Sequence, residues 1–414
     1  MTASDDYFDD LETRDPEVRE RDYAIRLPRQ IGHAKAKAAY YAEVLADIDP
    51  EAVTGREALA GLPITRKSDL LARQKAAPPF GGLNGVPVEK VAHIFQSPGP
   101  IYEPDWDVKD YWRFGRCFWA VGIRPGDIIH NTFAYHLTPA GMMMESGARA
   151  IGCPVIPAGV GNTELQVEAI AHLRPTAYVG TPSFLRILLD RAAEAGVDSS
   201  SLTKASVGGE ALPPSLREEI SNRGVFVLQS YGTADLGLIA YESAAMEGMI
   251  VDEGVIVEIV RPGTGDPVSE GEVGEVVVTA LNPVYPLVRF ATGDLSAVLP
   301  GQSPCGRTNM RIKGWMGRAD QTTKVKGMFI HPAQIDQVIK RHDAILRARL
   351  VVDSVDNTDV MTLKCEVEGG SEALAADIAA TIQSVCKVRG RVEFVAPGEL
   401  PNDGKVIDDI RSYE

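Results

Sequence analysis

A carboxylate projecting from a glycine turn can accept two hydrogen bonds from a vicinal diol, and Arg289-Phe-Ala-Thr-Gly-Asp294 offers Asp294 for that chemistry. Two further clusters follow closely, Gly317-Arg-Ala-Asp320 and Lys324-Val-Lys-Gly327. A Gly-Arg-x-Asp turn ahead of a basic loop containing glycine suggests a pivot between a large domain and a small one. A hinge of that kind needs a residue that absorbs a large φ/ψ change. Farther on, Leu400-Pro-Asn-Asp-Gly-Lys405 sets one lysine in a polar loop close to the chain end. Each feature has a bland reading on its own: Asp294 as a solvated turn residue, Asp320 as a helix N-cap, Lys405 as a surface lysine. Their order and spacing argue that they are functional together.

The elements that must position these residues are legible in outline. At 414 residues the chain exceeds a usual single domain, so two domains are expected. Residues 16 to 50 carry a helical pattern, with Tyr40, Tyr41, Val44 and Leu45 at helical spacing and Asp49-Pro50 as its end. Leu62-Pro-Ile-Thr-Arg-Lys-Ser-Asp69 reads as a turn feeding a short helix. From about 90 to 240, short apolar runs alternate with helical stretches, as in a layered α/β domain. Val155-Ile-Pro-Ala-Gly is a buried-strand candidate; helices are expected over 164–173 and 183–195, with a strand and turn at Ala177-Tyr-Val-Gly-Thr-Pro. Residues 249 to 299 are β-rich and broken by Gly and Pro, which fits a barrel-like or meander subdomain. Beyond Asp320 a strand-helix-strand-strand-helix-strand alternation predicts a small α+β cap. The fold class expected is therefore α/β, a large layered N-terminal domain with a β-rich subdomain plus the α+β C-terminal cap.

Composition removes several functions. A net charge of −15 argues against broad nucleic-acid contact, which requires basic surface to displace counterions. The five cysteines lack metal-ligand spacing, and their odd number argues against a disulfide framework. The acidic start Met1-Thr-Ala-Ser-Asp-Asp is unlike a signal peptide, and no apolar run approaches the roughly 20 residues that span a bilayer. A cytoplasmic protein without nucleic-acid or membrane partners is expected. There is no HExxH, and no GxGxxG opening a βαβ unit, so metallohydrolase and dehydrogenase readings lack support.

The ordered clusters, with the opening Tyr7-Phe-Asp-Asp-Leu and Leu-Pro-Ile-Thr-Arg-Lys-Ser-Asp-Leu stretches, resemble the adenylate-forming superfamily of acyl-CoA synthetases, and its phenylacetate-CoA ligase branch in particular. The resemblance spans nearly the whole chain. It implies an adenylating domain over 1–319, with its β-rich subdomain at about 249–299, and a mobile C-terminal domain over 320–414 hinged at Asp320. It implies that Asp294 holds the AMP ribose with Arg289 as a helper and Arg318 on the nucleotide. Lys405 would bridge the carboxylate and the α-phosphate, and Lys326-Gly327 would line the thiol tunnel. Val207-Gly208-Gly209-Glu210 and Tyr231-Gly232-Thr233-Ala234-Asp235 correspond to the adenine-binding strand ends, with Tyr231 stacking on the base and Asp235 holding Mg²⁺ where the family carries Glu. Tyr135, His136, Gly141 and Thr181 would border the acyl pocket. Met142-Met143-Met144 reads as core filler. Implied cosubstrates and cofactors are ATP, Mg²⁺, CoA and a small carboxylic acid; dimers are common among such ligases, so a homodimer is one expectation.

One segment departs from the family pattern. Its phosphate loop is rich in hydroxyls and glycine, whereas here the corresponding stretch reads Gln96-Ser97-Pro98-Gly99-Pro100. Each proline lacks an N–H, and Ser97 alone supplies a hydroxyl. The leading expectation is an ATP-dependent ligase joining a small aromatic acid to CoA. The alternatives are an adenylating enzyme with another acceptor (an amine, an oxidised nitrogen compound or a carrier-protein thiol) and a catalytically lapsed nucleotide-binding homologue. Retention of Lys405 argues against the last.

Overall fold

The computed structural model describes residues 6–97, 100–321, 323–325, 328–355, 358–401 and 405–411. It divides into two compact units. The larger takes Met1–Arg261, Gly265–Thr292 and Ala297–Trp315; the smaller takes Pro262–Thr264, Gly293–Ser296 and Met316–Glu414. The strand Phe290–Ser296 crosses that division between Thr292 and Gly293.

A nine-stranded sheet organises the larger unit. Its parallel half runs Val155–Pro157, Ile129–Asn131, Ala177–Gly180, Lys204–Val207, Phe226–Thr233. The helices Ala140–Ala150, Thr163–Leu173, Pro182–Glu194 and Pro214–Asn222 connect these strands in the chain. Parallel strands covered by such crossovers bury both faces, and Ala177–Gly180 is buried at every position. Val155–Pro157 corrects an expectation: it is the edge strand and only half-buried, with Pro157 exposed. Proline cannot donate to a ladder, so a strand that carries it belongs at an edge. Past Phe226–Thr233 the sheet turns antiparallel through Gly237–Glu242, Met249–Val251, Arg311–Ile312 and Val298–Leu299.

The β-rich stretch is not one barrel. Met249–Val251 joins the nine-stranded sheet, while Val255–Val260, Gly274–Ala280 and Phe290–Ser296 form a separate four-stranded sheet with Thr65–Arg66. At the start of the chain, Asp15 caps the helix Pro16–Lys37 by accepting from the Glu17 N–H. Tyr23, Leu27, Ile31 and Ala34 make its buried stripe, at the spacing of one helix face. That helix ends at Lys37, and a second, Ala39–Val44, follows.

In the smaller unit the sheet order is Arg391–Val395, Thr358–Glu366, Arg347–Val355, Ile407–Asp409. The helices Pro332–Ile339 and Glu372–Cys386 contribute Ile335, Val338, Ile378 and Ile382 to its own core, with Leu350, Val352 and Leu363 from the strands. A hairpin, Thr323–Val325 with Met328–Ile330, precedes it. Relative to the expected alternation, Ile407–Asp409 adds a strand by pairing parallel with Arg347–Val355. Among the described residues no helix is long and apolar enough to cross a membrane.

Candidate functional site

Ligands of open parallel sheets bind beyond the carboxyl ends of the strands, and several expected site residues lie there. Ile129–Asn131 leads to Tyr135, Ala177–Gly180 to Thr181, and Lys204–Val207 to Gly208, Gly209 and Glu210. The Gly208 N–H bonds the Gly180 carbonyl at 3.1 Å, tying two strand ends together. A Cβ at Gly180 would sit 1.9 Å from Thr132 Oγ1 and 2.2 Å from the Tyr178 hydroxyl, so only glycine fits. Gly209 has a φ of +76° and is exposed; a Cβ there would meet Phe133 at 3.6 Å and Thr181 at 3.9 Å. These contacts bring the glycine turn, Thr181 and the segment after Asn131 to one place. Glu210 is exposed and accepts from Ser183 Oγ at 2.6 Å.

The acyl-segment residues are organised by a side chain that the sequence reading passed over. Asn131, fully buried, donates to the Tyr135 hydroxyl at 2.8 Å and to the Gly141 carbonyl at 2.9 Å. Gly141 lets the Tyr135 ring lie on the helix Ala140–Ala150, since a Cβ would come within 2.7 Å of that ring. Burial, then the Glu145 carboxylate, raises the Tyr135 phenol above its ordinary value. His136 is exposed. Met143 and Met144 are buried among core residues.

Tyr231, expected to stack on a base, is 9% exposed within the core, and its hydroxyl reaches Thr292 Oγ1 at 3.3 Å. Little of its ring face is left for a ligand. A register shift between Tyr231 and Gly232 marks a bulge, which leaves the Gly232 backbone exposed beside it. Thr233 Oγ1 accepts from the Leu236 N–H, closing the turn that carries Asp235.

Asp235 is the centre of a buried polar cluster. Its side chain is fully buried, and Lys67 Nζ lies 2.5 Å from its Oδ2. Glu103 is also buried, 1% exposed, on the hairpin Ile94–Ser97/Ile101–Pro104. Ser97, expected as a phosphate contact, spends its hydroxyl on Glu103 Oε1 and is itself buried. Burial first, and then the Asp235 charge, pushes the Glu103 carboxyl up to about 8; Lys67 opposes the shift. The hairpin is fixed from two sides. Gln74 clamps both backbone groups of Tyr102 at 2.8 Å, and the Gln96 N–H bonds the Leu137 carbonyl at 2.9 Å. Pro98 and Gly99 lie outside the described residues. Lys67 and Glu103 were missed in the sequence; an acidic residue inside an apolar hairpin was the available signal.

Arg289 is corrected. It is 3% exposed and binds Glu258 with two nitrogens (3.1 and 3.0 Å), the Leu62 carbonyl at 2.6 Å and the Gly265 carbonyl at 2.9 Å. A guanidinium so fully engaged is a structural tie, not a nucleotide contact. The Thr-Gly-Asp stretch is also no turn but part of the strand Phe290–Ser296, bent at Gly293 with φ +78°.

In the smaller unit Asp294 and Arg318, each expected at the nucleotide, pair with one another. They form a β-bridge, and Arg318 Nη1 lies 3.3 Å from Asp294 Oδ1. Gly293 is needed for this approach, because a Cβ would fall 2.8 Å from Arg318 Nη2. Ala319–Gln321 forms a short 3₁₀ turn containing Asp320, whose side chain lies outside the described residues, as do Lys326 and Gly327. Lys405 is exposed and reaches Asp408 Oδ1 at 3.3 Å.

Comparison with known proteins identifies the family. Residues 109–282 match the AMP-binding enzyme family, and residues 327–409 match the AMP-binding enzyme C-terminal domain. The chain is 30% identical to a phenylacetate-coenzyme A ligase of Thermus thermophilus, over 93% of this chain and 91% of that protein. It is 28% identical to a phenylacetate-coenzyme A ligase of Escherichia coli, over 98% of each. In fold it superposes on an open conformation of 2-hydroxyisobutyryl-CoA ligase in complex with 2-HIB-AMP and CoA, with a TM-score of 0.86 at 24% identity, covering 99% of this chain and 95% of that one. The chain belongs to the AMP-binding enzymes, in the family of the phenylacetate-coenzyme A ligases.

Proposed function

We propose that the protein is an ATP-dependent, AMP-forming acid–thiol ligase that activates a small carboxylic acid, an aromatic one foremost, and passes the acyl group to CoA. The observation that carries this reading is 30% identity to a phenylacetate-coenzyme A ligase over 93% of the chain, with the glycine strand ends, the Asp294–Arg318 pair and Lys405 all present in the chain.

In the first half-reaction a carboxylate oxygen attacks the α-phosphorus of ATP, forming the acyl–phosphate bond as the bond to pyrophosphate breaks. Lys405 would offset the charge that develops on the transferring group. Asp294 would accept the ribose hydroxyls. In the second, the CoA sulfur attacks the acyl carbonyl carbon and AMP leaves. Domain rotation about Asp320, between 1–319 and 320–414, belongs to the same proposal. Asp235 fits a role toward Mg²⁺, because its Oδ1 is buried without a hydrogen-bond partner among the described residues. When bound, the cation would neutralise phosphate charge. Tyr135, packed over Gly141 and held by Asn131, gives the acyl end an aromatic wall. Five free cysteines, four of them buried, support a reducing, cytoplasmic setting.

The test is acid-dependent pyrophosphate release from ATP and Mg²⁺ over a panel of aryl and short-chain acids, with and without CoA. Lys405→Ala should lower it about 10²–10³-fold while leaving thermal stability unchanged, since its ion pair is exposed. No pyrophosphate with any acid, alongside measurable AMP binding, would overturn the ligase reading. Acid-dependent release that needs no CoA for turnover would redirect it to another acceptor.

A further inference from the structure

Lys405 is exposed, yet the chain on both sides of it is held by groups from distant positions of the smaller unit. Ahead of it, the Leu400 N–H donates to Glu366 Oε1 at 2.8 Å, and Arg347 donates to the Leu400 carbonyl. Arg349 Nη2 donates to the Pro401 carbonyl at 3.0 Å; Arg349 and Glu366 are both buried. Behind it, Val406 has both backbone groups engaged. Its carbonyl accepts from the Leu350 N–H at 2.9 Å, and its N–H donates to Gln321 Oε1 at 2.8 Å. Gln321 ends the 3₁₀ turn that contains Asp320. Two residues on, Thr323 Oγ1 donates to Asp409 Oδ2, and Arg411 Nη2 donates to Thr323 Oγ1 at 2.9 Å. The segment just past Asp320 is thus tied twice to the segment that follows Lys405, across 85 and 86 positions.

We infer that Gln321 is a positioning residue for Lys405: it fastens the residue after the lysine to the first residue past the pivot, so that a backbone rotation at Asp320 carries Lys405 with it. This inference rests on the proposed ligase reading, in which Asp320 is the pivot and Lys405 serves the first half-reaction. A lysine on a slack loop would meet the α-phosphate from many directions, few of them productive. Misplacing a catalytic group by about 1 Å can cost about 10²-fold in rate. Arg347, Arg349, Leu350 and Glu366 lie on the paired strands Arg347–Val355 and Thr358–Glu366, so they hold the loop to the sheet. Gln321 differs, because it lies in the hinge turn itself. Its carboxamide takes the Val406 N–H in place of a strand carbonyl. Since Val406 offers a donor, only an acceptor at position 321 serves, and the side-chain oxygen must face it.

Gln321→Leu keeps the bulk and removes the acceptor, whereas Gln321→Glu keeps an acceptor oxygen. Amide hydrogen exchange is read by mass spectrometry on peptides spanning Lys405 to Asp409 of the full-length protein. It should speed about three- to tenfold in Gln321→Leu, which is what one net hydrogen bond amounts to, and stay near wild type in Gln321→Glu. The two half-reactions are then measured apart. Acid-dependent pyrophosphate release reports the first; thioester formation from CoA and the synthetic acyl-adenylate of the same acid reports the second. Gln321→Leu should lower kcat of the first about tenfold, with KM for ATP and acid little changed, and leave the second within about twofold. General damage to the fold would lower both together. Gln321→Glu should restore the first. Wild-type exchange in Gln321→Leu, equal loss in both half-reactions, or no restoration by Gln321→Glu would each overturn the inference. Exchange needs no turnover, so unchanged exchange sinks the inference alone, whereas a wild type that releases no pyrophosphate with any acid sinks the ligase reading on which it rests.

Discussion

Replacing Arg289 separates a structural role from a nucleotide-binding one. The guanidinium is buried, and its removal leaves the Glu258 carboxyl, 8% exposed, without its partner, along with the Leu62 and Gly265 carbonyls. Breaking a buried pair by removing one member costs about 3–5 kcal/mol, because the remaining charge stays desolvated. At roughly 2–4 °C per kcal/mol for a domain of this size class, Arg289→Met should lower the unfolding midpoint by on the order of 10 °C. The pH dependence has a definite sign. Burial already raises Glu258 above its ordinary value against the opposing pull of Arg289. Without the arginine it rises further, so the folded state holds a proton that the unfolded chain has released. Stability is then full below the unfolded carboxyl value and falls as pH climbs through the folded one. The deficit of the variant should accordingly shrink toward pH 4.5 and widen toward neutrality. The double variant Arg289→Met/Glu258→Leu should recover most of the loss, since well-packed apolar groups often replace a buried pair without penalty. Differential scanning fluorimetry across that range, with AMP affinity measured by calorimetry, makes the check. An unchanged midpoint with AMP binding weakened tenfold would refute this reasoning and return Arg289 to the nucleotide.

Two further changes probe the strand ends. Gly180→Ala forces a Cβ onto Thr132 Oγ1 and the Tyr178 hydroxyl, which are themselves bonded at 2.8 Å, and should cost about 1–3 kcal/mol by overpacking. Denaturant unfolding measures it, and a neutral effect would mean that the strand end yields. Tyr135→Phe keeps the ring on Gly141 but deletes the Asn131 bond; a stability loss of about 0.5–1.5 kcal/mol is expected. Steady-state kinetics should show KM for the acid altered more than kcat, and an unchanged KM for every acid turned over would remove Tyr135 from the acyl pocket.

Much of the fold is readable along the chain because local pattern and tertiary role coincide there. The strand at Ala177, the helices on either side of it and the cap's alternation of elements follow from apolar periodicity and turn residues. Asp294 and Arg318 stood out by motif, and the structure adds a β-bridge between them. Where the reading failed, burial was the cause. Arg289 and Tyr231 have residue types equally suited to a ligand and to a core, and periodicity does not say which side of a strand receives a partner from elsewhere in the chain. Ser97 was counted as a phosphate hydroxyl because its motif position was visible and its partner Glu103 was not.

Residue types and their order by themselves determined the family and the α/β class, because each depends on near neighbours in sequence or on recurring spacing. Only the tertiary structure decided which polar groups lose water. Lys67 and Asp235 are separated by 168 positions, and Arg289 meets the Leu62 carbonyl across 227. Desolvation at such meetings sets whether a charge is a tie, a proton carrier or a ligand, and no local pattern encodes it.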